Sequence, residues 1–274
     1  MRTWVNGTIV ESAEALVSVF DHGLTVGDGV FETAKVLDGV PFALTRHLQR
    51  LTASALGMGL PAPDIDLVRH AIEETLTEND ASAALRLRIT YTGGISPLGS
   101  DRGDGAPTLV VAVAPLRTWP ASSAVATVPW TRNERSATAG LKTTSYAENV
   151  VALAYAHENG AAEAVLANTA GNVCEGTGSN LFLVLDGDLV TPPLSSGCLA
   201  GVTRALVLEW TEAVERDVAM RDLPRAGEVF LSSSTRDIQG VHAVDGRALD
   251  GAPGPVTRRC AAVFAERSAA DIDP

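Results

Sequence analysis

Two hydrophobic rhythms run along the chain. Residues 30–36, 85–91 and 108–114 alternate or run apolar as strands do, and residues 3–10 read as a short strand with an Asn6-Gly7 turn. Asp38-Gly39 turns the strand at 30–36 into an apolar stretch over 40–44. The spacing then becomes helical. Thr45 is suited to cap the first free amides, and Leu48, Leu51 and Leu56 recur near the helical period behind it. Residues 66–76 form a second amphipathic helix.

The second half repeats the mixture. It predicts a strand over 124–129 and a helix over 145–158 that stops at Gly160, a good residue for a left-handed C-terminal turn. Strands follow at 162–167 and 180–185, and Asp186-Gly187 makes a hairpin to 189–191. Gly201 opens a helix running to about Val214. A strand over 228–231 leads into Ser232-Ser233-Ser234-Thr235, and residues 257–267 form a closing helix. Two prolines and small polar residues mark 115–123 as a linker region. The expected division is an N-terminal α/β domain over 1–115, a linker at 116–121 and a C-terminal domain over 122–274. The glycine-rich stretch 93–105 reads equally as a mobile lid or a surface loop.

Composition narrows the function classes. With 46% hydrophobic and 20% charged residues, the 274-residue chain has ample material for a core. A net charge of −12 argues against a nucleic-acid partner, since phosphate backbones are bound by lysine and arginine. No segment is apolar and long enough to suggest a signal peptide or a membrane span, so a cytoplasmic location is expected. Three scattered cysteines suit a reducing compartment and indicate neither a disulfide framework nor a zinc site. The five histidines lack metal-ligand spacing, so no metal is expected.

Of the 21 basic residues only two are lysines, Lys35 and Lys142, which limits any amine chemistry to two side chains. Lys142 stands among small neutral residues just before a helix, where desolvation favours a nucleophilic amine; a solvated surface position is the ordinary alternative. Glu175 precedes Gly176-Thr177-Gly178. It reads either as a carboxylate on a tight turn at a strand end, facing a planar ligand, or as an ordinary turn residue. Three features suit phosphate: the helix start at Gly201-Val202-Thr203-Arg204, the hydroxyls of Ser232–Thr235, and Arg50 one turn beyond His47. Gly27-Asp28-Gly29 is not a dinucleotide fingerprint, and neither a P-loop nor a Gly-x-Ser-x-Gly elbow is present.

Together these residues resemble the class IV aminotransferases, fold-type IV enzymes that use pyridoxal 5′-phosphate (PLP). The likeness runs over nearly the whole chain. Asp21 through Thr33 resembles the family's N-terminal motif, and His47-Leu48-Gln49-Arg50-Leu51 its phosphate-arginine helix. Lys142 falls where the family has its Schiff-base lysine, and Glu175 through Phe182 matches the segment whose Glu contacts the pyridine nitrogen. The resemblance implies an α/β fold of two domains, a small N-terminal α/β domain and a C-terminal pseudo-barrel, in a homodimer. It also implies that Lys142 is the catalytic amine and that Glu175 keeps the pyridine nitrogen protonated. The phosphate would fall to Arg50, Thr203 and Ser234 with the amides of Val202 and Ser233, and Asn180 and Tyr146 would lie near the cofactor.

Within the family the sequence leans towards 4-amino-4-deoxychorismate lyase, which releases pyruvate and 4-aminobenzoate. The Gly27–Val36 pattern, with Thr33 and Lys35, resembles the lyases. A transaminase of branched-chain L-amino acids or of D-amino acids is the alternative, since Tyr146 and the segment from Thr191 to Arg204 resemble the branched-chain enzymes. Arg86 and Arg88 lie two apart on one strand face; either meets a substrate carboxylate or both face solvent. A protein that only binds a phosphate compound is the non-enzymatic reading.

Overall fold

The computed structural model describes residues 1–80, 82–249 and 251–274. They fall into two compact units. The first comprises Met1–Arg117, Leu141–Tyr146 and Ile272–Pro274; the second comprises Thr118–Gly140 and Ala147–Asp271. The expected cut at 116–121 made no provision for the two short segments, which join the first unit from distant parts of the chain.

The first unit holds β1 (Arg2–Val5), β2 (Thr8–Glu11), α1 (His22–Thr25), β3 (Gly29–Leu37), β4 (Val40–Pro41), α2 (Leu44–Gly57), α3 (Ile65–Thr77), β5 (Leu85–Thr92) and β6 (Thr108–Pro115). The expected strand at 3–10 is an antiparallel hairpin, because Asn6 and Gly7 both take positive φ. All neighbours in the six-stranded sheet, β2-β1-β6-β5-β3-β4, are antiparallel. Alternation sorts β3 onto two faces. Val30, Ala34 and Val36 join a core with Leu48 and Leu51 of α2 and Ile72 of α3, while Phe31, Thr33 and Lys35 point the other way. Each fully buried aliphatic side chain of such a core contributes about 1.5–3 kcal/mol.

Thr45 does not cap α2. The helix begins at Leu44, behind Ala43 in a left-handed conformation. The capping oxygens come from Asp273, which accepts the Thr45 amide at 2.8 Å and the Thr45 hydroxyl at 2.6 Å. An acceptor 228 residues away leaves no local signal.

The second unit holds β7 (Ser122–Arg132), α4 (Ala147–Glu158), β8 (Glu163–Asn168), β9 (Val173–Gly176), β10 (Asn180–Leu185), β11 (Asp188–Thr191), α5 (Val202–Trp210), β12 (Val214–Glu215), β13 (Glu228–Ser233), β14 (Asp237–Val244), β15 (Arg247–Ala248) and α6 (Pro255–Ala270). Its sheet runs β12-β11-β10-β13-β14-β7-β8-β9, with β15 on β14. The end strand β9 turns straight into β10, where the Gly176 amide bonds the Ser179 carbonyl at 2.7 Å. The strand path therefore returns on itself and the sheet curls into a half-barrel.

Helix α5 stops at Trp210, short of the expected Val214. Thr211 takes an extended conformation, and Val214 pairs in parallel with Val190. Helix α4 begins at Ala147 rather than 145. The strands β9, β14 and β15 had no counterpart in the sequence pattern.

Candidate active site

In the first unit, one face of α2 presents His47, Arg50, Ser54 and Gly57 at helical spacing. Arg50 donates from Nε and Nη2 to the two oxygens of Glu32, each bond 2.8 Å. His47 Nδ1 donates to Glu32 Oε2 at 2.7 Å. Burial opposes charge on Glu32, yet Arg50 and His47 outweigh it and hold the carboxyl well below the usual carboxylate range. Burial pushes the His47 pKa down, against the pull of Glu32. Arg50 is thus gripped edge-on by a carboxylate, the geometry that orients a guanidinium.

The same helix holds the lysine segment. Ser54 Oγ accepts the Lys142 amide at 3.2 Å, and the Phe31 amide donates to the Lys142 carbonyl at 2.9 Å. Thr143 forms a bridge with Val30. Gly57 passes so close to Leu141 that a Cβ would meet its Cδ2 at 2.7 Å. Lys142 is partly buried, with Nζ 4.4 Å from the centre of the Phe31 ring. Tyr146 meets that ring edge-on, centroids 5.0 Å apart.

Arg88 covers Phe31 as well, its guanidinium carbon 3.5 Å from the ring centre. Burial, and then the neighbouring Arg86, push the Arg88 pKa down to about 10, so it remains charged at neutral pH. Arg86 and Arg88 differ more than their shared face implied: Arg86 is exposed and Arg88 half-buried. Thr33 lies opposite Arg88 and Lys35 opposite Arg86. Thr33 Oγ1 is buried without a hydrogen-bond partner among the described residues. Lys35 is buried, its Nζ 4.7 Å from the Phe42 ring centre.

In the second unit Glu175 is not on a turn. It lies within β9 opposite Leu166, and the turn follows at 177–179. That turn is held by buried Glu163, which accepts the Thr177 amide at 2.9 Å, the Thr177 and Ser179 hydroxyls, and Arg236 at 2.8 Å. Glu175 Oε2 accepts the Leu199 amide at 2.8 Å, and Arg132 Nε lies 3.5 Å from Oε1. Asn180 Nδ2 donates to the Leu199 carbonyl at 2.9 Å. Leu199 is therefore held at both its amide and its carbonyl, and two residues later comes Gly201, the N-cap of α5.

No side chain caps α5, whose first turn carries buried Val202 and Thr203. Such a start offers amides and a positive dipole end to an anion. Arg204 turns away to the Pro192 carbonyl and Glu215. Ser233 closes β13, and Ser233 and Ser234 are half-buried; Ser232 Oγ is buried without a partner among the described residues.

Glu32 and Arg132 lie outside the set of residues that the sequence pattern singles out. An acidic residue inside an apolar strand, with His47-x-x-Arg50 on a nearby helix, is a readable signal for the first. Arg132 left none, because its contact with Glu175 spans the β7-β8-β9 ladder. Among the described residues no cluster of three or more metal-ligating side chains occurs, and no helix is long and apolar enough to cross a membrane. The three cysteines are buried free thiols.

Known proteins carry the same chain plan. The amino-transferase class IV family model matches residues 29–244. A putative branched-chain-amino-acid aminotransferase of Methanocaldococcus jannaschii is 33% identical over 271 residues, covering 94% of this chain and 93% of that protein. A bifunctional aminodeoxychorismate lyase / D-amino acid transaminase of Mycobacterium tuberculosis is 33% identical over 298 residues, covering 97% and 96%. The PLP-bound form of a hypothetical aminotransferase from M. tuberculosis superimposes with a TM-score of 0.86 at 30% identity, covering 97% and 98%. Fold, motif order and sequence agree: the chain belongs to the class IV aminotransferases, a family of PLP-dependent enzymes.

Proposed function

We propose that the protein transfers the amino group of a carboxylate-bearing amine to a keto acid, with Lys142 as the catalytic amine. The observation that carries this reading is the sharing of the Phe31 ring. Lys142 Nζ and the Arg88 guanidinium both pack on it, at 4.4 and 3.5 Å. An amine for chemistry at the α-carbon and a cation for the carboxylate thus stand on one aromatic platform.

In each unit the donors present suit one part of PLP. Lys142 would supply the amine for its aldehyde carbon, and Glu175 a carboxylate for its pyridine nitrogen. Arg50, the first amides of α5, Thr203, Ser233 and Ser234 supply donors for its phosphate. When bound, PLP provides the conjugated ring that accepts the electron pair released at the substrate's α-carbon. Lys142 would be the base that takes the proton from that carbon. Glu175, its carboxylate held by the Leu199 amide, would keep the pyridine nitrogen protonated. Arg50, oriented by Glu32, would hold the phosphate, and Tyr146 would pack beside the amine through its edge-on contact with Phe31. Asn180 acts by fixing the loop before α5.

The buried, unpartnered Thr33 hydroxyl favours a second reading, the lyase reaction, in which it would bond the reacting groups. A product assay separates the two. Branched-chain L-amino acids or D-alanine with 2-oxoglutarate should yield keto acids. Release of pyruvate and 4-aminobenzoate from aminodeoxychorismate, without keto-acid formation from the amino acids, would establish the lyase instead. We also propose a homodimer: Val17, Val19, Phe20, Leu24, Val26 and Ile95 expose apolar surface in the first unit, and light scattering tests it.

A further inference from the structure

The segment bearing Lys142 hangs from two supports, and a single arginine holds both. One support is the turn before β3. The Gly27 carbonyl accepts the Thr144 and Ser145 hydroxyls, each at 2.9 Å, and the Gly29 carbonyl accepts the Thr144 amide at 2.8 Å. The other is the end of α2, through Ser54 and Gly57. Arg102, from the 93–105 loop, donates to both oxygens of Asp28 at 2.7 and 2.5 Å, and Asp28 lies between the two glycines. The same guanidinium donates to the Met58 and Gly59 carbonyls, 2.7 Å each, where α2 ends. Those carbonyls have no helical partner of their own, so the cation also completes the helix.

The loop that carries Arg102 is fastened by His22, which is almost wholly buried. His22 Nδ1 lies 2.9 Å from Asp28 Oδ2, and Nε2 lies 2.9 Å from the Gly99 carbonyl oxygen. Asp28 is held ionised chiefly by Arg102, so it only accepts, and a carbonyl can do nothing else. Both ring nitrogens must then donate, which makes His22 an imidazolium. Its pKa is raised, first by the bond to Asp28 and against the cost of burial. The charged groups that face the ring are Asp28 and Arg102. Asp21, just before it, spends Oδ1 on the Gly23 amide and the Thr92 hydroxyl. Asp101 and Asp104 on the loop are exposed.

We propose that Arg102, Asp28 and the His22 imidazolium form a clamp that positions the Lys142 segment and closes only while His22 carries both ring protons. They are positioning residues, acting through the Gly27–Gly29 turn and the end of α2. The catalytic consequence rests on the assignment of Lys142 proposed above, whereas the clamp itself does not. The sign follows from the direction of the shift. A raised folded-state pKa means the clamp is complete below the ordinary histidine range and opens as pH rises through the folded value. When one ring proton leaves, either Gly99 or Asp28 loses its donor.

The test uses the full chain loaded with PLP and labelled with 15N-histidine. Only five histidines are present, and His22→Gln identifies the His22 signals. Both ring nitrogens of His22 should be protonated at pH 7, with an alkaline midpoint above the ordinary histidine range. A neutral ring at pH 7 would overturn the clamp, whether or not the protein has turnover. Kinetics give the second arm. Arg102→Met should lower kcat about tenfold, the worth of one charge-assisted bond, with little change in KM. Arg102→Lys should recover part of it, and His22→Gln should abolish the alkaline fall in kcat. Unchanged kcat in Arg102→Met, with wild-type turnover intact, would overturn the positioning role.

Discussion

Arg50 and Glu32 are locked in a two-bond pair on the buried side of β3, with His47 as third member. The pair joins the sheet to the helix that also holds the Lys142 segment, so it has a structural consequence and, with the phosphate role proposed for Arg50, one for cofactor binding. Removing the charge of Glu32 while keeping its shape leaves a buried cation without its counter-ion. Glu32→Gln should cost about 3 kcal/mol of unfolding free energy at pH 7, measured by urea denaturation of the PLP-free protein. PLP should also dissociate faster from the variant.

The pH dependence of that pair has a definite sign. Glu32 has a depressed pKa when folded, so its stabilisation is present above the unfolded value of about 4.3 and disappears as pH falls through the folded value. The stability gap between wild type and Glu32→Gln should be constant from pH 6 to 7 and shrink below about pH 4. A gap that widens with acidification would refute the pairing.

Arg88 makes a separate prediction. Arg88→Ala should lower kcat/KM for carboxylate substrates by about 10–100-fold, mostly through KM, in keeping with loss of a charged hydrogen bond. Arg88→Lys should retain part of the charge but not the stacking on Phe31. Because the Arg88 pKa is pushed down to about 10, KM of the wild type should rise as pH approaches that value.

Gly201 tests the second unit. A Cβ there would run into Asn180 Oδ1, which belongs to the side chain that holds the Leu199 carbonyl. Gly201→Ala should therefore displace the loop before α5 and raise the PLP dissociation constant about tenfold, with unfolding free energy changed by less than about 1.5 kcal/mol. Titration of the PLP-free protein with PLP, followed by absorbance, measures the first; urea denaturation measures the second.

Much of this arrangement was legible before any coordinates. Strands such as β3 and β5 alternate cleanly because one face packs on helices, so their limits follow from apolar spacing. Helix α2 was readable from Leu48 and Leu51, but its start was not: its capping oxygens come from Asp273, far away in sequence. Helix α5 was overextended because its apolar residues continue to Val214, whereas pairing with β11 claims that residue. The strand β9 stayed hidden behind glycines that read as a turn, which also misplaced Glu175.

The site divides in the same way. Lys142, Arg50 and Glu175 stood out through residue chemistry and motif order. The groups that aim them, Glu32, Arg132 and Arg102, act across sheet ladders and between loops, where one-dimensional spacing carries no information. A carboxylate inside β3 was visible as a character in the sequence, yet its meaning depended on α2 folding back over it.

The most direct measurement is borohydride reduction of the PLP-loaded protein followed by peptide mass mapping. The chain has only Lys35 and Lys142 as candidates, and Lys35 is buried beside Phe42. The account predicts a yellow protein in which a single peptide, the one containing Lys142, gains the reduced cofactor, and a Lys142→Ala variant that gains none. Labelling of Lys35, or of neither lysine in a protein saturated with PLP, would contradict it.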